Sequence, residues 1–144
     1  MIKKYSKNVG IDLAEFYYRL LFCFLTGNSD MHLKNFSLIE DKAGSREFGL
    51  SAAYDLLPVN VLMPADSEQM ALTLNGKKRN IKKKDFLNLA QIIGMNDKAA
   101  LSLIKQILNY KAVFTDILDQ AYISAEMKKE MKRLIDERAK TLMA

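Results

Sequence analysis

Residues 11–25 are apolar on nearly every side, broken only by Asp12, Glu15 and Arg19. A helix built from them has no broad face to offer water, so it must be buried and the remaining chain must wrap around it. A length of 144 residues suits one domain, 1–144, with room for a real interior. Asp12 suits the N-cap, and Glu15 with Arg19 forms an i,i+4 pair for the exposed side. Thr26-Gly27-Asn28 is a stop signal, because glycine accepts the left-handed conformation that ends a helix. Residues 1–10, ending at Gly10, read as a loose basic lead-in.

After the stop, the hydrophobic period changes. Residues 36–40 and 47–51 alternate as short strands, and Asp41-Lys42-Ala43-Gly44-Ser45-Arg46 between them is turn chemistry, which predicts a β-hairpin. Residues 53–66 hold both prolines, Pro58 and Pro64, and read as irregular. Residues 70–74 alternate again up to the Asn75-Gly76 turn, which predicts a further strand. From there the period is helical. Phe86, Leu89, Ala90 and Ile93 line one face of a helix over 85–93 that ends at Gly94. Asn96 or Asp97 caps one long helix carrying Leu103, Ile104, Ile107, Leu108, Phe114, Ile117 and Leu118. Ser124 starts a last helix with Met127, Met131, Leu134, Ile135 and Leu142 inward. These stripes read as core rather than as grooves. The fold class expected is α+β, predominantly helical, with a small β-ribbon.

Composition narrows the chemistry. Cys23 is the single cysteine, so an internal disulfide and a cysteine-based zinc site are excluded; within Leu20-Leu21-Phe22-Cys23-Phe24-Leu25 it reads as a buried structural thiol. With one histidine as well, any metal must be held mainly by oxygen, which suits Mg²⁺. The basic start before an apolar run faintly suggests a signal peptide, but Asp12, Glu15 and Arg19 interrupt it and no small-residue cleavage site follows. The run is too short and polar to span a bilayer. No membrane association and a cytoplasmic location are the expectations.

Charge is uneven. Residues 1–76 carry 7 Lys/Arg against 9 Asp/Glu, whereas residues 77–144 carry 15 against 8. Six basic residues lie within Lys77-Lys78-Arg79-Asn80-Ile81-Lys82-Lys83-Lys84. Such a run suits phosphates or an acidic protein partner, and equally a solvated loop leading into a helix. Direct nucleic-acid binding is disfavoured, since no aromatics interleave with the charges and no helix-turn-helix pattern accompanies them.

The loop after the buried helix carries the polar constellation. In Gly27-Asn28-Ser29-Asp30-Met31-His32-Leu33-Lys34-Asn35, an aspartate stands five residues before an asparagine, and Asp55 follows twenty residues later. Phosphoryl transfer needs one carboxylate to orient the attacking hydroxyl, then oxygen ligands to hold Mg²⁺ against the ATP phosphates. Protein kinases arrange this as helix, catalytic loop, hairpin and metal-binding aspartate, the order found here. Asp30 would orient the hydroxyl, and Asn35 with Asp55 would hold Mg²⁺. Lys34 could offset γ-phosphate charge as a point charge. His32 reads first as a loop brace, hydrogen-bonded to nearby backbone, and second as an acid–base group.

The stretch Gly27-Asn28-Ser29-Asp30-Met31-His32-Leu33-Lys34-Asn35-Phe36-Ser37 resembles the catalytic-loop signature of the HipA-like serine/threonine kinases. Ala53-Tyr54-Asp55-Leu56-Leu57-Pro58 resembles that family's magnesium-binding segment, and Met70-Ala71-Leu72 with Asn75-Gly76-Lys77 the strand and turn after it. The resemblance spans about residues 11–90 and implies a kinase-like C-terminal lobe using ATP and Mg²⁺. It further implies the toxin of a toxin–antitoxin pair, with a helix-turn-helix antitoxin as partner. In relatives the substrate is an aminoacyl-tRNA synthetase, glutamyl-tRNA synthetase, phosphorylated on serine.

The family's phosphate-covering loop and ATP-binding lysine are not among these residues; no Gly-rich loop and no Val-Ala-Ile-Lys strand precedes Asp30. The expectation is a C-terminal lobe without its N-terminal lobe, inactive by itself. The alternative is a non-catalytic interaction module that binds an antitoxin-like protein.

Overall fold

The computed structural model describes residues 1–144. The apolar run lies inside α2, Val9–Thr26, following the one-turn α1, Ile2–Tyr5. Tyr17, Leu20, Leu21, Cys23, Phe24 and Leu25 of α2 are buried, and they join a single core of 20 buried apolar residues, so one interior serves the whole chain. β1, Leu38–Glu40, and β2, Phe48–Leu50, form the hairpin, and a one-turn α3, Val59–Leu62, follows. Then come α4, Lys83–Ile93, α5, Asp97–Asn109, α6, Lys111–Gln120, and α7, Ala125–Met143. α2 packs against α5, α7 and β2; α4 packs against α5 and α7, and α6 against α7. Phe86 of α4 closes the centre, its ring edge-on to Phe24 at 5.3 Å and to Tyr17 at 6.4 Å.

The sheet is the antiparallel pair alone, in register Leu38↔Leu50, Ile39↔Gly49 and Glu40↔Phe48. Its turn is held by the Glu40 carboxylate, which accepts from the Gly44 and Arg46 amides at 3.0 and 2.6 Å. The architecture is therefore predominantly helical α+β, as the pattern implied. No helix is long and apolar enough to cross a membrane.

Five expectations need correction. Asp12 is not the N-cap: α2 starts at Val9 after Asn8, and the buried Asp12 Oδ2 accepts from the Leu50 amide at 2.8 Å. The lead-in is not loose either, because the Lys7 amide donates to the Phe48 carbonyl at 2.9 Å and so delivers the helix from beside the hairpin. The Glu15–Arg19 pair forms at 2.8 Å, yet Arg19 is only 6% exposed, with its Nη2 donating to the Ser51 carbonyl under the hairpin end.

Residues 70–74 are not a strand. The Leu74 and Lys77 backbones bond each other at 2.8 and 2.9 Å across the Asn75–Gly76 turn, and the Gln69 amide donates to the Lys78 carbonyl at 2.7 Å, but these isolated bonds do not extend into a ladder. The alternation there reports Met70 and Leu74 entering the core. Finally, the expected long helix is two helices, broken at Tyr110, whose φ and ψ of −78° and −3° leave the helical ladder. The turn aims Phe114 at Phe22, ring centroids 5.8 Å apart, and brings Leu118 into the core.

Candidate functional site

Gly27 ends α2 in the left-handed conformation, φ 76° and ψ 29°. Two requirements meet there, since a Cβ at this position would lie 2.4 Å from Leu134 Cδ2 and 3.3 Å from Asn60 Cβ. Beyond it the loop alternates between anchored and displayed residues. Asn28, Ser29, Met31, Asn35 and Phe36 are buried, whereas Asp30, Leu33 and Lys34 face solvent. This alternation explains how so polar a segment keeps one shape: its inward side chains are hydrogen-bonded or apolar, and its outward ones are left for other molecules.

The hydrogen bonds are specific. The Asp30 amide donates to Asn28 Oδ1 at 3.2 Å, and Asn28 Nδ2 donates to the Asp55 carbonyl at 3.2 Å. A 3₁₀ turn, Leu33–Asn35, follows, with the Asn35 amide donating to the His32 carbonyl at 2.9 Å. Asn35 Nδ2 donates to Asp55 Oδ2 at 2.9 Å, and the Asp30 carbonyl lies 3.4 Å from the same nitrogen. Asp55 adopts φ 56°, uncommon for a non-glycine residue, and the Tyr54 hydroxyl beside it donates to the Lys34 carbonyl at 2.9 Å. The hairpin thus returns the chain so that Asp55 meets Asn35.

The structure brings Asn35 and Asp55 into contact and sets Asp30 and Lys34 on the exposed edge of the same loop. The imidazole of His32 does not brace the loop as expected, for its Nδ1 is buried with no hydrogen-bond partner. Backbone bonds do that work instead, the His32 amide donating to the Asp30 carbonyl at 2.7 Å.

Three further residues were not legible as part of the site. Ser29 Oγ donates to Asp66 Oδ2 at 2.5 Å, and the Ser29 hydroxyl, then the Glu68 amide, hold Asp66 below the usual carboxylate range. Asn60, in α3, donates its amide to the Gly27 carbonyl at 2.9 Å. Arg138 Nη2 donates to Asn60 Oδ1 at 3.3 Å while its guanidinium lies 4.7 Å over the Phe24 ring. Only Arg138 left a signal, as a charged residue on the inward stripe of α7.

The basic run is partly spent inside the fold. Lys77 pairs with the buried Asp85 at 2.9 Å and Lys78 with Glu68 at 3.0 Å. Lys82, Lys83 and Lys84 line a cleft of about 580 Å³ with Leu87, Thr141 and Ala144.

A buried helix, an ordered polar loop and a hairpin returning an aspartate define a kinase-like C-terminal lobe. Residues 1–114 match the HipA-like C-terminal domain, and the chain belongs to that family. It is 33% identical over 105 residues to "Putative kinase Y4dM" of Sinorhizobium fredii, a match covering 72% of this chain and 25% of the relative. Its fold is that of a chain in the Shewanella oneidensis MR-1 toxin–antitoxin complex of HipA, HipB and operator DNA. The TM-score is 0.83 and the identity 16%, over 96% of this chain and 33% of that one. The chain thus spans about a quarter of the curated relative and a third of the structural neighbour.

Proposed function

We propose that this chain is the catalytic C-terminal lobe of a HipA-like protein serine/threonine kinase, which transfers the ATP γ-phosphoryl group to a protein hydroxyl. The observation that carries the reading is the 2.9 Å bond from Asn35 Nδ2 to Asp55 Oδ2. It joins two residues twenty positions apart and leaves the Asn35 amide oxygen without a hydrogen-bond partner beside a carboxylate. An amide oxygen and a carboxylate are the hard donors that Mg²⁺ prefers. No three His, Cys, Asp or Glu side chains converge to make a metal cage from protein alone, so the reading requires nucleotide phosphates as the other ligands. Bound there, Mg²⁺ would supply neutralisation of phosphate charge.

The chain's own residues have distinct tasks in this reading. Asp30 accepts the proton side of the substrate hydroxyl's hydrogen bond and points its oxygen at the phosphoryl group. Lys34, exposed on the same loop, offsets charge on the transferring group. His32 stays a secondary acid–base candidate. Tyr5, Phe36, Leu38 and Phe48 frame an apolar cleft of about 500 Å³ directly after Asn35, a surface suited to a nucleotide base. An N-terminal lobe would cover the nucleotide from the other side, and without it the chain is inactive. The toxin role, the cytoplasmic location and a helix-turn-helix antitoxin partner belong to the same proposal. The Shewanella complex, which holds HipA with HipB, supports the pairing.

The test is nuclear magnetic resonance of the ¹⁵N-labelled chain with Mn²⁺·ATP at millimolar concentration. Paramagnetic broadening centred on Asn35 and Asp55, and lost in Asp55→Asn, is expected. Broadening centred on residues 82–84 would favour the interaction-module reading instead, with the lysine cleft as an anion-binding surface.

A further inference from the structure

We propose that Asn60 is a positioning residue for the Gly27–Asp30 shoulder of the loop, and that Arg138 of α7 is its anchor. Every polar group of the Asn60 side chain is engaged. Nδ2 donates to the Asp66 carbonyl at 3.2 Å and to the Glu68 carbonyl at 2.9 Å, while Oδ1 accepts from Arg138 Nη2 at 3.3 Å. Its backbone amide holds the Gly27 carbonyl at 2.9 Å. Through Asp66, whose carboxylate accepts from Ser29 Oγ, the same residue reaches the other side of the shoulder. Asn60 therefore holds the Gly27 backbone directly and the Ser29 side chain through Asp66, at two points of the turn that leads into Asp30.

The Arg138 site is not built for stability alone. Arg138 is 8% exposed, forms no ion pair, and leaves Nη1 buried without a hydrogen bond. Burial pushes its pKa down to about 10. An apolar side chain of similar length would cover Phe24 without that desolvation, so what the guanidinium adds is the cation–π contact with Phe24 and the bond to Asn60, of which only the bond reaches the loop. The consequence is long in sequence: a helix beyond the family-matched residues 1–114 sets the loop at residues 27–30. The effect on phosphoryl transfer rests on the function proposed above; the mechanical link does not.

Amide hydrogen exchange of the 144-residue chain tests the link. Arg138→Met keeps length and apolar cover, Arg138→Lys keeps the charge and a donor, and Ala139→Gly weakens the same helix without touching Asn60. Arg138→Met is expected to speed exchange of the Asn60 and His32 amides at least tenfold relative to the Ile104 and Ile107 amides of α5. Arg138→Lys should recover most of that loss. If Arg138→Met and Ala139→Gly speed all these amides in equal proportion, Arg138 is merely structural and the proposal is overturned. Loss of the Mn²⁺·ATP broadening in the unsubstituted chain would remove the catalytic reading while leaving the exchange result to decide the link.

Discussion

Gly27 combines two demands that are separable by substitution. Its φ of 76° disfavours any side chain, and a Cβ would meet Leu134 Cδ2 at 2.4 Å. Gly27→Ala is expected to destabilise the fold by about 2–3 kcal/mol, the conformational part alone being ~1–2. Thermal unfolding of the two proteins measures this, and an unchanged melting temperature would refute the close approach. Asp85 poses a different question. It is fully buried, and burial by itself would raise its pKa, but bonds from Lys77, Asn75 and the Lys82 amide outweigh that and lower it. A folded pKa below the unfolded one means stabilisation present above about pH 4 and lost as pH falls through the folded value. Asp85→Asn should therefore flatten the acid side of the stability curve and cost about 1–2 kcal/mol at pH 7. Urea midpoints across pH 2–7 would show it.

At the scale of elements, legibility followed local chemistry. The C-terminal stops at Gly27 and Gly94 and the caps at Asn96 and Ser124 stand as read, because each depends on residues within one turn. The hairpin was legible for the same reason. What could not be read was partnership. Asp12 looks like a cap until Leu50 arrives from 38 residues away, and alternation over 70–74 looks like a strand until the returning residues 77–78 form only isolated bonds with it. The break at Tyr110 was hidden because the apolar spacing continues through it. The Asn35–Asp55 contact was anticipated from order along the chain, whereas Asn60 and Asp66 lie in a segment whose only local signal is proline. One consequence of the misplaced helix start can be measured. Gly10 lies inside the first turn of α2 with no atom within 4 Å of a built Cβ. Gly10→Ala should stabilise the protein by about 0.5–1 kcal/mol; destabilisation would argue that α2 begins later.

For the molecule as a whole, α2 is the common wall of everything else. Its buried side supports α5 and α7, and its Asp12 and Arg19 hold the hairpin from beneath. Loop, hairpin and C-terminal helices therefore share one cooperative unit, and opening any of them extensively means exposing the same interior. The lone cysteine reports on that. Cys23 is fully buried on α2, and burial pushes its thiol up to about 12, so at neutral pH it is neither ionised nor reachable. Its reaction with a maleimide should be slow in the native chain and set by global unfolding, with Gly27→Ala accelerating it and Gly10→Ala retarding it. Labelling as fast as that of an unfolded peptide would mean that α2 separates from its neighbours without general unfolding. The thiol placed deepest in the wall is thus a stopwatch for the molecule, needing no added probe and counting only the moments when the central helix is laid bare.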